Sequence, residues 1–268
     1  MTIQEAKHSD LAPLVEFAGQ LADAARAVTM ARWRSVGAVE DKAGRGGFDP
    51  VTEADRGAER AMRALIEYRY PNHGITGEEY PERPARGRYA WSLDPIDGTR
   101  SYICGLPSWT TLIALLDGGE PVLGLIDAPR LGERYLGHGG SASVTSGEGT
   151  RPIAVSGCAR LAVARLSSTD PAMFAGADAA GFERLRAAAC VTRYGHDAYG
   201  YARLADGSLD LVVERGLSPH DWRPLVPLVR AAGGVIGNWD GGEDCAGGRI
   251  VAAASRALFD EAVAMLGA

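Results

Sequence analysis

Residues 91–102 read WSLDPIDGTRSY. The run that leads in, from Tyr89, has the look of a strand. It delivers Asp94 and Asp97 three positions apart around Pro95, and Gly98-Thr99 then opens a helix. Two carboxylates held this close repel each other unless something cationic lies between them. Pro95 stiffens the turn, and the exposed backbone N–H groups that begin the helix suit an anion. The carboxylates suit hard cations with oxygen ligands. A hydrolytic two-metal site needs this combination, with one metal activating water, the other steadying the leaving oxygen and a phosphate bridging both.

Other acidic residues sit where elements begin or end and can converge on the same cleft: Asp49 with Thr52, Glu78 with Glu79, and Asp221. Each taken alone reads equally well as a turn or cap residue. The five histidines (8, 73, 138, 196 and 220) show no ligand spacing and the candidate donors are oxygens, which favours Mg2+ over zinc, with Mn2+ able to substitute.

The rest of the chain fits an ordinary globular protein. It has 268 residues, of which 46% are hydrophobic and 23% charged, enough for a large core. The net charge of −6 and the absence of a basic block make long nucleic acids poor partners. No apolar run is long enough to span a membrane, and no basic region leads into an apolar stretch near Met1, so a cytoplasmic protein without a cleaved leader is expected. Cys104, Cys158, Cys190 and Cys245 form no paired motif and are expected as reduced thiols.

Helical periodicity covers residues 10–36, followed by a glycine- and charge-rich loop or loose hairpin over 37–48. A second helix runs from Thr52, a good N-cap, to Tyr70. Apolar runs on either side of Gly118-Gly119 predict a hairpin. Strands are expected in RYLGHG (134–139), RPIAVS (151–156), the stretches around 166, 192 and 212, and near 236 and 251. Helices are expected at 180–189, 197–207, from Asp221, and from Ser255, with Pro224 and Pro227 in the first turn or two after Asp221. Alternating helices and strands without repeats predict a layered α/β (α+β) architecture. The composition of residues 140–150 suggests a division into halves 1–145 and 146–268, the first carrying most metal ligands.

DPVTEAD (49–55), GEE (77–79), WSLDPIDGT (91–99) and SPHDWRPLVPLVRAAGGV (218–235) together resemble the inositol monophosphatase superfamily of magnesium-dependent phosphatases, in its motif order and spacing. The resemblance implies an α-β-α-β-α sandwich of the inositol monophosphatase/fructose-1,6-bisphosphatase type, usually a homodimer. It implies that Glu78, Asp94 and the carbonyl of Ile96 ligate one metal, and Asp94, Asp97 and Asp221 a second, with Glu78 also touching a third ion. Thr99 and Asp49, with Glu78 nearby, would position the attacking water, and the N–H groups of Gly98 and Thr99 would hold the phosphate. The mechanism implied is in-line attack by a metal-activated water, without a phosphoenzyme.

The segments RYGHDAYG (193–200) and GLPSW (105–109) look closer to the histidinol-phosphate phosphatase branch, with His196 standing where that branch usually has glycine. Asp97, Gly195, Asp197, Glu214 and Asp221 would face the substrate. Two carboxylates there, Asp197 and Glu214, suit a cationic amine, each charge-assisted hydrogen bond being worth ~1.5–3 kcal/mol. Asp197 is also placed to cap the following helix. Neither His196 nor His220 is expected as a metal ligand, since Mg2+ prefers oxygen, and His196 is read as a pocket or hydrogen-bonding residue. The leading expectation is therefore histidinol phosphate as substrate. The alternatives are inositol monophosphates or a wider range of sugar phosphates and, from another class, a non-catalytic binding relative.

Overall fold

The computed structural model describes residues 11–35, 39–41 and 50–267. Helices run over α1 (Ala12–Arg32), α2 (Glu53–Arg69), α3 (Thr99–Ile103), α4 (Ala177–Ala188), α5 (Ala198–Ala205), α6 (Pro219–Ala231) and α7 (Arg256–Gly267). Strands β1 (Glu40–Asp41) and β2 (Pro50–Val51) pair antiparallel, so the expected loose hairpin has its two ends in place. Most of residues 37–48, and Asp49, lie outside the described residues.

Two sheets organise the chain. The first is seven-stranded, in the order β3 (Gly74–Gly77), β4 (Tyr89–Asp97), β5 (Thr110–Asp117), β6 (Glu120–Ala128), β7 (Glu133–His138), β8 (Ser141–Ser146), β9 (Gly149–Pro152). Only β3 is parallel to its neighbour; the other pairs form an antiparallel meander. The β5–β6 hairpin turns at Gly118 and Gly119, both at positive φ as such a two-residue turn requires. The second sheet is five-stranded, in the order β11 (Val191–Tyr194), β10 (Arg165–Ser168), β12 (Leu211–Arg215), β14 (Arg249–Ala253), β13 (Val235–Asn238).

Helices α1 and α2 cover one face of the first sheet through Phe17, Leu21, Met62, Ile66, Trp91 and Leu93. Helices α5 and α6 fill the space between the sheets around Leu112, Ile126, Tyr201, Leu225 and Leu228. Helices α4 and α7 close the far face of the second sheet over Phe182, Leu185, Phe259 and Leu266. The result is the α-β-α-β-α sandwich.

The chain passes from one sheet to the other between Pro152 and Arg165. Residues 141–152, the compositional boundary, form the last hairpin of the first sheet, and a cut after residue 145 would fall inside β8. Small polar residues with glycine describe an exposed edge hairpin as well as they describe a linker. The strand expected over 151–156 is β9, already ending at Pro152.

Helix α6 also begins earlier than expected. Ser218, not Asp221, is its N-cap, and Asp221 is the acidic partner of a capping box three positions in. Pro224 and Pro227 therefore lie inside the helix. The helix rests on a notch in the first sheet. Gly124 and Gly137 face each other across the β6–β7 ladder. A Cβ on Gly124 would lie 1.9 Å from the Pro224 carbonyl oxygen, and one on Gly137 2.3 Å from Leu228 Cα. Among the described residues no helix is long and apolar enough to cross a membrane. The four cysteines are free thiols.

Candidate active site

The opening motif ends β4 with an irregularity. The β4–β5 register holds from Tyr89 to Asp94, shifts, and resumes at Asp97 opposite Thr110. Pro95 has no N–H to give the ladder, and the local kink re-aims both aspartates. Asp94 is only 2% exposed, and its Oδ1 accepts the Ile96 N–H at 3.0 Å. The Thr99 hydroxyl donates to the Ile96 carbonyl at 3.0 Å, tightening the turn in which Gly98 takes φ +78°.

Asp97 reaches across to the second half of the chain. Its Oδ2 accepts the Thr110 hydroxyl at 3.2 Å and the backbone N–H of Ala198, which opens α5, at 2.8 Å. The cap that the sequence assigns to Asp197 thus comes from Asp97. Asp197 occupies the N-cap position, at φ +48°, but its side chain makes no cap bond. Its carboxylate lies over Gly98 instead, where a Cβ would stand 2.9 Å from Oδ2. Gly98 is therefore required for space as well as for conformation.

Helix α6 brings in Asp221, whose Oδ2 accepts the Ser218 N–H at 2.7 Å. Asp94, Asp97 and Asp221 offer oxygens that all lie within 4.8 Å of one another, and so do the ligand atoms of Glu78, Asp94 and His220. Asp94 belongs to both groups. Burial first, and then Glu78, Asp97, Asp221 and Asp55, push the Asp94 carboxyl well above the usual carboxylate range. Asp97 is pushed up in the same way by burial, Asp197 and Asp221. A divalent cation relieves this repulsion, and the donor set is rich in the oxygens that Mg2+ prefers.

The loop carrying Glu78 is fixed from below. Glu59 of α2 is fully buried; its Oε1 accepts Arg63 Nε at 2.7 Å and its Oε2 the Glu79 N–H at 2.8 Å. Gly77 leaves the room this needs, since a Cβ there would stand 2.1 Å from Glu59 Oε1.

Two residues of this site have places that the sequence reading does not give them. In the sequence Asp55 is one of two acidic residues in the first turn of α2, where a negative charge favours the positive end of the helix dipole. In the structure it is 1% exposed, and its Oδ2 accepts the Thr52 N–H at 2.8 Å and hydroxyl at 2.6 Å. Its Oδ1 is buried with no hydrogen-bond donor. Burial, opposed by the Thr52 bonds and helped by the charge of Glu78, raises its pKa to about 6. A capping carboxylate is normally exposed, and only the packing shows that this one is buried close enough for the charges of Asp55, Glu78 and Asp94 to act on one another. The second is His220, whose Nε2 lies 3.4 Å from Asp221 Oδ1. Its neighbours in the cluster come from distant parts of the chain, so spacing along the sequence could not reveal it.

An open cavity of about 170 Å³ adjoins Asp97 and Asp221 and is lined further by Asp197, Glu214, Tyr201 and Met173. Glu214 is 4% exposed, and three internal donors hold it: the Thr169 N–H at 3.0 Å, the Thr169 hydroxyl and the Tyr201 hydroxyl at 3.1 Å. Burial raises its pKa to about 7, with the Thr169 bonds opposing and the Asp197 charge adding. Asp197 is raised by burial to about 6. Gly195, at φ +80°, accepts the Ser108 hydroxyl at 3.2 Å through its carbonyl. His196 Nδ1 lies 3.2 Å from Ser167 Oγ, a structural contact. Trp109 is fully buried against Tyr102 and belongs to the core.

The sequence model of the inositol monophosphatase family matches residues 10–266. The chain belongs to this family. It is 43% identical over 223 residues to the chloroplastic bifunctional phosphatase IMPL2 of Arabidopsis thaliana, a match covering 82% of this chain and 63% of the plant protein's length. It is 36% identical to a histidinol-phosphatase of Streptomyces coelicolor, with 92% of this chain and 94% of that one covered. An inositol monophosphatase structure from Zymomonas mobilis superposes with a TM-score of 0.84 at 36% identity, covering 96% and 99% of the two chains. The protein is thus a phosphoric monoester hydrolase of this family. Its clustered carboxylates, with a histidine beside them, can hold a divalent metal such as Mg2+.

Proposed function

We propose that this chain hydrolyses small phosphate monoesters at a two-metal centre with a broad substrate range that includes inositol and sugar phosphates. The observation that carries this reading is Asp94, shared between two adjacent groups of ligand atoms beside an open cavity. Glu78, Asp94 and the Ile96 carbonyl would hold one ion, and Asp94, Asp97 and Asp221 the other. Bound Mg2+ would offset the carboxylate charge, polarise the ester and ease deprotonation of water.

The remaining work falls to the chain itself. The N–H groups of Gly98 and Thr99 seat the phosphate at the start of α3. Thr99 orients the attacking water through its hydroxyl. Asp55 takes the water's proton at Oδ1, the buried oxygen without a donor, whereas the sequence reading has Asp49 help position that water. A carboxyl raised to about 6 is a better base than an ordinary aspartate. Asp97 ties the motif to α5, so that the cavity wall and the reacting phosphate keep a fixed relation.

A second reading, histidinol phosphate as the preferred ester, draws on the acidic cavity wall and on relatives named histidinol-phosphatase in Streptomyces coelicolor and Chlorobaculum parvum. Against it, Glu214 already spends its oxygens on Thr169 and Tyr201, and Asp197 is turned toward Gly98. Assembly as a homodimer and a cytoplasmic location complete the proposal. The test is phosphate release from inositol 1-phosphate, a sugar phosphate and histidinol phosphate side by side, with Mg2+ and then with chelator. Comparable chelator-sensitive turnover of all three supports the broad reading. A strong preference for histidinol phosphate replaces it with the narrow one, and no metal-dependent release from any ester defeats both.

A further inference from the structure

The donors at the two metal positions differ in kind. Asp94, Asp97 and Asp221 offer oxygen alone, whereas Glu78 and Asp94 share their position with an imidazole. We propose that His220 supplies a nitrogen ligand there. The Glu78–Asp94–His220 position then takes a transition-row cation such as Zn2+ or Co2+, while the all-oxygen position takes Mg2+. This rests on the two-metal reading above and adds the identity of one ion to it.

The geometry follows from how α6 begins. Pro219 and the capping box between Ser218 and Asp221 fix the first turn. Consecutive side chains leave that turn in different directions, so Asp221 meets Asp94 and Asp97 while His220 meets Glu78 and Asp94. His220 is partly buried, and the ion-pair contact of its Nε2 is long, at 3.4 Å from Asp221 Oδ1. That is looser than a good N–H···O bond and leaves the nitrogen available for a metal. Zn2+ accepts carboxylate oxygens together with imidazole nitrogen, and an imidazole donor suits zinc-like ions better than Mg2+.

The experiment uses the full chain freed of metal by chelator. Co2+ is titrated in and followed by its visible ligand-field spectrum, Zn2+ is measured by competition, and Mg2+ binding is followed by calorimetry. For His220→Gln we expect Zn2+ affinity to fall at least ~10-fold, by analogy with the loss seen when metal-site partners are removed. Mg2+ affinity at the other position and metal-free thermal unfolding should stay as in the wild type. In case the variant folds poorly, the wild type gives a second readout: one equivalent of Zn2+ should shift the His220 imidazole resonances. Equal Zn2+ affinity in variant and wild type, or unmoved imidazole resonances, overturns the assignment. Mg2+ binding and Mg2+-supported phosphate release by the wild type test the two-metal reading separately. If both are present and the imidazole does not respond, only the His220 assignment falls.

Discussion

Gly77→Ala puts one methyl group where the structure has no room for it. The new Cβ would stand 2.1 Å from Glu59 Oε1, 2.5 Å from Cδ and 2.7 Å from Oε2. The far end of a side chain can often swing away, but Glu59 is fully buried and held by Arg63 Nε and the Glu79 N–H. Either the carboxylate gives up one of these bonds or the loop carrying Glu78 lifts. A hydrogen bond to a charged group is worth ~1.5–3 kcal/mol, so a loss of about 2 kcal/mol is expected. In a chain of this size each kcal/mol moves Tm by ~2–4 °C, which gives a fall of about 4–8 °C. A lift of ~1 Å at Glu78 should also cost about 100-fold in kcat. Differential scanning fluorimetry and Mg2+-dependent phosphate release read the two effects separately. Gly147→Ala is the control, since a Cβ there meets nothing within 4 Å. A Gly77→Ala protein with the wild-type Tm and kcat would show that Glu59 and Gly77 do not hold Glu78 in place.

Other expectations follow from the same carboxylates. Asp94→Asn should abolish metal-dependent turnover while raising the Tm of the metal-free protein, because it removes a charge that Glu78, Asp97 and Asp221 repel; a lower metal-free Tm would contradict this. Asp55→Asn should lower kcat by ~10²- to 10⁴-fold with Mg2+ affinity nearly unchanged, as checked by kinetics beside calorimetry. Metal-free protein should lose stability as pH rises from about 4 to about 7. Burial raises the pKa of Asp55, Asp197 and Glu214 to about 6, 6 and 7 in the fold, from 3.8, 3.8 and 4.5 for the free side chains, so over that window the folded state binds more protons than the unfolded chain. Thermal melts across the range, with and without Mg2+, should show the slope and its reduction by metal. Asp197→Ala should weaken a cationic ester more than a neutral one if the narrow substrate reading holds, and both equally if Asp197 only packs on Gly98.

Much of this site could be read from residue order because its parts are local. Asp94, Pro95, Asp97 and Gly98 make their own turn, and Thr52 caps α2 within three residues. What could not be read depends on partners distant in the chain. Asp97 takes the Ala198 N–H, 101 positions away, and so assumes the capping role given to Asp197. Asp55 looks like any helix-start acid until burial and the lone Oδ1 are known. His220 is invisible to ligand spacing because the carboxylates it joins come from β4 and from the loop after β3. The hairpin of β8 and β9 resembles a linker in composition, since an exposed sheet edge and a connector ask for the same small polar residues.

The notch formed by Gly124 and Gly137 bears on how such a protein can change. It seats α6 backbone against backbone on β6 and β7, so Asp221 and the β4 aspartates move as parts of one clamp. Much of the cavity wall beyond them, with Thr169, Met173 and Glu214, belongs to the other sheet and its connections. Hydrolysis and recognition are thereby mounted on separate supports, like a fixed jaw with an exchangeable bit. Substitutions in the second support can redirect the clamp to a new ester without loosening its grip on phosphate, whereas a side chain added at either glycine would disable it for every ester at once.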